Sequence, residues 1–343
     1  MPGPFVHRLD PVIAEVGGVC LWWYGLSYSL GFLGVHLWFR RARKRLGMTL
    51  SEVYGISLFL AVGVLLGGRF VEVAFYEWDY YSHHLLHIPA YWLGGMATHG
   101  LLLGGTLGTL LFCWLRRRSF LAMADELVIP GAWIMGVGRI GNFIDGQISG
   151  AVTNVWWAVQ FPDLAGFRHP VVLYDGLKNL LLIPFLLWMS RRRPPRGVVF
   201  AHFVFWYAFL RLFVDLFREY RVQTFGLGTG QMINISMSIL GLVLVVWFYR
   251  QKHRESAAVV HKEAQADSES SVSLWGQRVL FALLLLFCLA IPSDWTQDIP
   301  ARYEGRHPGL RHSPLYPRIE ERAPVRETHE GNDVPSQGIQ PPS

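Results

Sequence analysis

The sequence predicts an all-α fold, a polytopic helical membrane protein with a seven-span core and an eighth C-terminal span. Three observations carry that prediction. Of 343 residues, 52% are hydrophobic and 16% charged, against about 25% charged in a soluble domain. Apolar runs of roughly 17–25 residues, long enough to cross a bilayer, recur along the chain. Basic residues gather in short clusters between alternate runs, as the positive-inside rule requires. The net charge of +6 is therefore topological, and no nucleic-acid partner is expected. Fourteen tryptophans and thirteen tyrosines suit the two membrane–water interfaces.

The runs lie near 19–39, 53–75, 97–115, 121–143, 171–190, 198–217, 231–249 and 275–292. Arg40, Arg41, Arg43, Lys44 and Arg45 follow the first, Arg116–Arg118 the third, Arg191–Arg193 with Arg196 the fifth, and Arg250, Lys252 and Arg254 the seventh. All these loops share one side, the inside, if the N-terminus is outside. The expected organisation is a seven-span domain over 1–254, a polar Ser/Glu-rich linker over 255–274, an additional transmembrane helix over 275–292, and a Pro-rich, disordered tail over 293–343. Met1–Gly18 has no basic region followed by an apolar core, so no cleaved leader is expected. Cys20, Cys113 and Cys288 form no CxxC pair and read as buried free thiols. His83, His84 and His87 sit in an aromatic loop, Tyr76–Tyr91, without a carboxylate–histidine helix spacing; that reads as an interfacial loop and no metal is expected. Trp156 and Trp157 place the 150–167 loop at the outer interface.

Polar residues inside the runs carry the function. Gly138–Gly150 closes the fourth run and holds Arg139, Asn142, Asp145 and Gln147 where leucines would be expected. An intramembrane arginine costs roughly 2.5–3.5 kcal/mol on insertion scales, so such a cluster marks a site. Tyr24 opens the first run, Arg69 follows Gly67-Gly68 in the second, His99 opens the third, His169 and Tyr174 open the fifth, and Arg211, Asp215 and Arg218 close the sixth. Runs of opposite direction thus put their polar groups at one level, in the outer half of the bilayer, which implies a cavity filled by water or by a lipid headgroup. Arg139, Arg211 and Arg69 present planar forks suited to phosphate. Arg211 and Asp215 stand i,i+4 and can pair, and Asp215 and Arg218 stand i,i+3. His99 can exchange protons near neutral pH. Tyr24, Asn142 and Gln147 offer hydrogen bonds to esters or hydroxyls. The inferred ligand is an anionic phospholipid headgroup.

With these residues in view, the chain resembles the bacterial prolipoprotein diacylglyceryl transferases. The resemblance runs from about Leu9 to Tyr249. It is carried by Leu9-Asp10-Pro11, Trp23-Tyr24-Gly25-Leu26, Gly67-Gly68-Arg69, Gly95-Met96-Ala97-Thr98-His99-Gly100, Gly138-Arg139-Ile140-Gly141-Asn142-Phe143, His169-Pro170 with Leu173-Tyr174, and Arg211 to Arg218. It implies transfer of the diacylglyceryl group of phosphatidylglycerol to the cysteine thiol of a prolipoprotein signal peptide, in the bacterial inner membrane. Tyr24, Arg139, Asn142, Gly150 and Arg211 match family positions important for activity, and His99 matches the histidine of the glycine-rich block. Gln147, Asp145, Asp215 and Asp175 stand where the pattern usually has glutamate, asparagine, glutamate and glutamate. The roles then expected are Arg139 and Arg211, with Arg69, on the leaving phosphate; His99 as base, with Asp145 as its fallback; and Tyr24 and Asn142 on the headgroup. Asp145, Gln147, Gly150, Asp215, Arg218, His169 and Tyr174 complete the expected substrate site. No cofactor is expected. The alternative reading is a catalytically impaired paralogue acting as a phospholipid-binding or scaffolding membrane protein.

Overall fold

The computed structural model describes residues 5–162, 164–218, 223–224, 227–251, 271–293 and 298–319. Every apolar run folds as a helix. In order these are α1 (Trp23–Ala42), α2 (Leu50–Val71), α4 (Thr98–Leu115), α5 (Phe120–Ile144), α6 (Val171–Arg191), α7 (Val198–Asp215), α8 (Thr229–Arg250) and α9 (Ser271–Cys288); α3 (Trp78–Tyr81) and α10 (Ile299–Tyr303) are short. Six of them are long and apolar enough to cross a membrane: α2 with the π-turn that extends it to Tyr76, and α4 through α8. α1, which ends in Arg40 and Arg41, and the shorter α9 pack among them.

The sequence reading begins the first span at residue 19. The chain instead makes an antiparallel hairpin there, β2 (Val12–Val16) with β3 (Val19–Trp22). Gly17 and Gly18 turn it at φ +60° and +80°, a region that glycine enters without a Cβ penalty. The remaining strands are two residues each: β1 (Phe5–Val6), β4 (Val159–Gln160) and β5 (Phe167–Arg168) form one sheet, and β6 (Gln223–Thr224) pairs with β7 (Leu227–Gly228). All of them lie beside the helix ends that carry the polar residues, which we call the site end. The basic clusters mark the opposite end.

Two ion pairs pin the basic end: Arg45 to Glu126 at 2.8 Å and Arg118 to Glu52 at 2.7 Å. Glu52 also closes a reciprocal cap with Thr49 at the start of α2, which satisfies two backbone N–H donors that a helix start otherwise leaves open. Between the ends, α2 and α4 touch backbone to backbone. Gly63 faces Gly104, and Gly67 faces Gly100. As one index rises by four the other falls by four, so the helices run antiparallel along a small-residue seam.

The C-terminal region departs from the expectation of a disordered tail. Residues 298–319 fold back onto the hairpin, where Ile299, Tyr303, Leu310 and Tyr316 are buried with Val12, Cys20, Trp22, Ala90 and Leu93. The anchors are four well-separated apolar residues in a polar sequence, too sparse to register as periodicity. The expected linker falls mostly on residues 252–270, outside the described residues, as does 320–343.

Candidate active site

Asp175 is the hub. It sits in the first turns of α6, 2% exposed, and one carboxylate oxygen takes the Arg139 Nε from α5 at 2.7 Å and the Arg211 Nη1 from α7 at 2.5 Å. Lys178, one turn on, approaches the other oxygen at 3.1 Å and lies 3.8 Å from the Tyr207 ring centroid. Behind Arg211, Asp215 accepts from its Nε at 2.9 Å and from Asn234 Nδ2 of α8 at 2.9 Å. Three cations therefore face two carboxylates inside the bundle. A buried surplus charge is costly unless an anion joins it. Among the described residues, the Nη2 groups of Arg139 and Arg211 have no hydrogen-bond partner, so each arginine is oriented by carboxylates yet keeps an amino group to offer.

Arg139 is also the wall between two spaces. On one side is a small cleft of about 10 Å³ bounded by Asp175, Arg211, Arg218 and Ile148. On the other is a cavity of about 290 Å³. Tyr24, Ser27, Arg139 and Asn142 make its polar end, and apolar side chains line it along α5 down to Phe120. At a helical rise of ~1.5 Å per residue that length is roughly 33 Å, close to the hydrocarbon thickness of a bilayer of about 30 Å. Asn142 accepts from Arg139 Nη1 at 3.3 Å. The Tyr24 hydroxyl is 3.2 Å from that of Tyr28, and Gly141 packs against the Tyr24 backbone, which fixes the α1–α5 crossing beside the site.

Other expected residues form the rim. The His169 ring and the Trp157 indole both reach the Tyr174 hydroxyl, at 3.1 and 2.5 Å. Burial holds the His169 imidazole below its ordinary pKa. Gly150 donates to the His169 carbonyl at 2.9 Å, and a Cβ there would collide with Phe217, Val171 and His169. Gly150 is thus the point where the loop after α5, the start of α6 and the end of α7 meet. Arg218 borders the cleft. Gln147 is half-buried in the loop, its backbone N–H on the Asn142 carbonyl.

Three expected residues stand elsewhere. Arg69, 3% exposed, gives its five N–H groups to the carbonyls of His87, Ile88, Ala90, Gly94 and Gly95 and lies over the Tyr81 and Tyr91 rings. A guanidinium has five donors, so none is left for a phosphate; Arg69 ties the 87–95 loop to α2. Asp145, 0% exposed, lines neither space and accepts from the Ser293 N–H at 3.3 Å. His99 is exposed at the start of α4, next to Thr98, which lines the cavity. Lys178 and Asn234 belong to the ionic cluster although the sequence reading passed over them. The i,i+3 spacing of Lys178 from Asp175 was a usable signal. Asn234 offered only its polarity.

A multi-pass helical membrane protein with a buried, cation-rich cluster opening on a long apolar cavity is built to hold an amphipathic anion. The comparisons agree in kind. The model of the prolipoprotein diacylglyceryl transferase family matches residues 11–247. A phosphatidylglycerol–prolipoprotein diacylglyceryl transferase of Geobacter sulfurreducens is 39% identical over 258 residues, 72% of this chain and 98% of the relative. Proteins of the same name are 38% identical in Nitrosomonas europaea, over 71% of this chain and 92% of theirs, and 34% identical in Desulfotalea psychrophila, over 73% and 97%. The chain belongs to the prolipoprotein diacylglyceryl transferase family.

Proposed function

We propose that this chain transfers the diacylglyceryl group of phosphatidylglycerol to the lipobox cysteine of prolipoprotein signal peptides, at the bacterial inner membrane, with its N-terminus outside. The observation that carries the reading is Arg139. It stands where an apolar cavity of bilayer length meets a buried cluster with surplus positive charge. The apolar lining along α5 suits the methylenes of an acyl chain, and the headgroup phosphate is drawn to Arg139, with Tyr24 and Asn142 beside it. Arg211 adds a second cation, held by Asp175 and Asp215.

In the reaction the thiol loses its proton and its sulfur forms a bond to the sn-3 carbon of the lipid glycerol. The bond from that carbon to the phosphate oxygen breaks, and the electron pair leaves with glycerol phosphate. The leaving phosphate gains negative charge in the transition state, which Arg139 and Arg211 stabilise in place. His99 takes the thiol proton in this scheme, reached by the incoming peptide at the exposed start of α4.

The test is expression in cells depleted of their own transferase, with the mass of a reporter prolipoprotein as readout. Addition of a diacylglyceryl mass is expected. Arg139→Ala should insert normally and transfer about 10²–10³-fold more slowly, as when an oxyanion donor is removed. Unchanged transfer by well-inserted Arg139→Ala protein would overturn the assignment.

A further inference from the structure

The chain carries a segment beyond the residues that match the family model, which end at 247, and that segment is wired into the site. α9 lies against α1 and α2. Ser29 of α1 donates to the Leu285 carbonyl at 2.6 Å, and Trp22 donates to the Leu289 carbonyl at 2.8 Å. Gly25, directly after Tyr24, has the Cys288 and Leu289 carbonyls where a Cβ would be. The start of α1, which presents Tyr24 to the cavity, is therefore set against α9.

The same segment reaches the other half of the site. Ser293 donates to the Asp145 carboxylate, and Arg306 Nη2 donates to the Asp145 carbonyl at 3.1 Å. Arg306 packs on Gly146, which has φ +71°. Its guanidinium lies over Tyr303, 5.1 Å from the ring centroid, and Tyr303 packs on Trp22 at 5.0 Å. The loop so gripped is a strained one. Ile148 has φ +56°, a conformation that β-branched residues avoid and that persists only where the surroundings enforce it. Ile148 also bounds the cleft with Arg139 and Arg211.

We propose that residues 271–293 and 298–319 form an intramolecular clamp that holds the strained Asp145–Gly150 loop and the start of α1 in register around Arg139, with Arg306 as its positioning residue. This rests on the transferase reading above. Arg306 does not itself line the lipid cavity and acts through the loop it holds at Asp145 and Gly146. A clamp of this kind sets the rate at which a bound lipid reacts, because small misplacements of reacting groups cost large factors in rate.

The test uses the full chain in membranes. Wild-type transfer comes first; if it is absent, the transferase reading fails and not the clamp. Given wild-type transfer, Arg306→Ala is expected to lower kcat about tenfold with KM for phosphatidylglycerol changed less than twofold. Arg306→Lys, which keeps a cationic donor, should recover most of the loss, and Arg311→Ala, at an exposed position, should match wild type. Hydrogen exchange of amides 143–150 should quicken in Arg306→Ala while the α2–α4 seam is unchanged. Wild-type kcat and unaltered exchange in Arg306→Ala would overturn the proposal. So would rapid exchange of 143–150 in the wild-type protein, a measurement that needs no variant to fold.

Discussion

Arg69 and Arg211 look alike in the sequence, each a lone guanidinium in an apolar run, and the structure gives them different work. Arg69 has every donor on a backbone carbonyl. Arg211 is held by two carboxylates and keeps an amino group over. The substitutions should separate accordingly. Arg69→Lys supplies three donors for five acceptors, and hydrogen bonds to a charged group are worth about 1.5–3 kcal/mol each. We expect a lower thermal midpoint in detergent with transfer per folded molecule within about threefold of wild type. Asp215→Asn leaves the α7–α8 contact to Asn234 nearly isosteric but removes the charge that orients Arg211. It should lower the midpoint, because it enlarges the buried surplus of positive charge, and slow transfer per folded molecule about 10- to 100-fold, since misplacing a catalytic group by about an ångström costs up to 10². The same activity loss in both variants would erase the distinction. The sequence could show that a charge at this depth needs a reason, but not the reason. Arg69's partners are carbonyls, and a carbonyl has no signature in a sequence. Arg211's partner Asp215 lies one turn along the same helix, which is why that pair was legible.

Helices were legible because length and apolarity suffice to define a span; how they pair was not, because lipid-exposed and helix-facing leucines look the same. The exception is the seam of α2 and α4, where glycines at i, i+4 spacing permit close approach. A Cβ on Gly104 would meet the Gly63 carbonyl. Gly104→Leu should therefore push the helices apart, at about 1–3 kcal/mol or more for overpacking, read as reduced accumulation and a lower midpoint. Gly276→Ala, on α9 with open space around it, should be neutral. Equal behaviour of the two would mean that the seam does not hold the bundle. The strand over Val19–Trp22 was hidden for the opposite reason. Its residues are as apolar as a membrane span, and the Gly17-Gly18 turn that makes them a hairpin is a local signal outweighed by the long apolar run that follows.

At the scale of the whole molecule, the site end is covered by short elements from the N-terminal and C-terminal regions, and His7 is buried among them. The ring is 2% exposed, lies 2.6 Å by Nε2 from the Phe143 carbonyl and stacks on Phe161. Burial lowers its pKa below the usual 6.5, and the nearby Arg306 lowers it further, although the Phe143 carbonyl pulls the other way. The neutral ring donates from Nε2. Protonation would add an Nδ1–H, and that atom is buried with no partner among the described residues. The sign follows from linkage. With the folded pKa depressed, the unfolded or detached state binds the extra proton first, so stability is fully present above about pH 6.5 and is lost as pH falls from there through the folded pKa. Because His7 holds the last turn of α5, the loss should begin at the Asn142–Gly150 loop rather than in the bundle. Lowering the pH from 7.5 to 5.5 should quicken hydrogen exchange over 143–150 and reduce transfer, with the α2–α4 seam unaffected. His7→Gln keeps a neutral donor of similar reach and does not titrate. It should flatten that pH dependence at a small cost in stability, whereas an unchanged slope in His7→Gln would place the acid-sensitive group elsewhere.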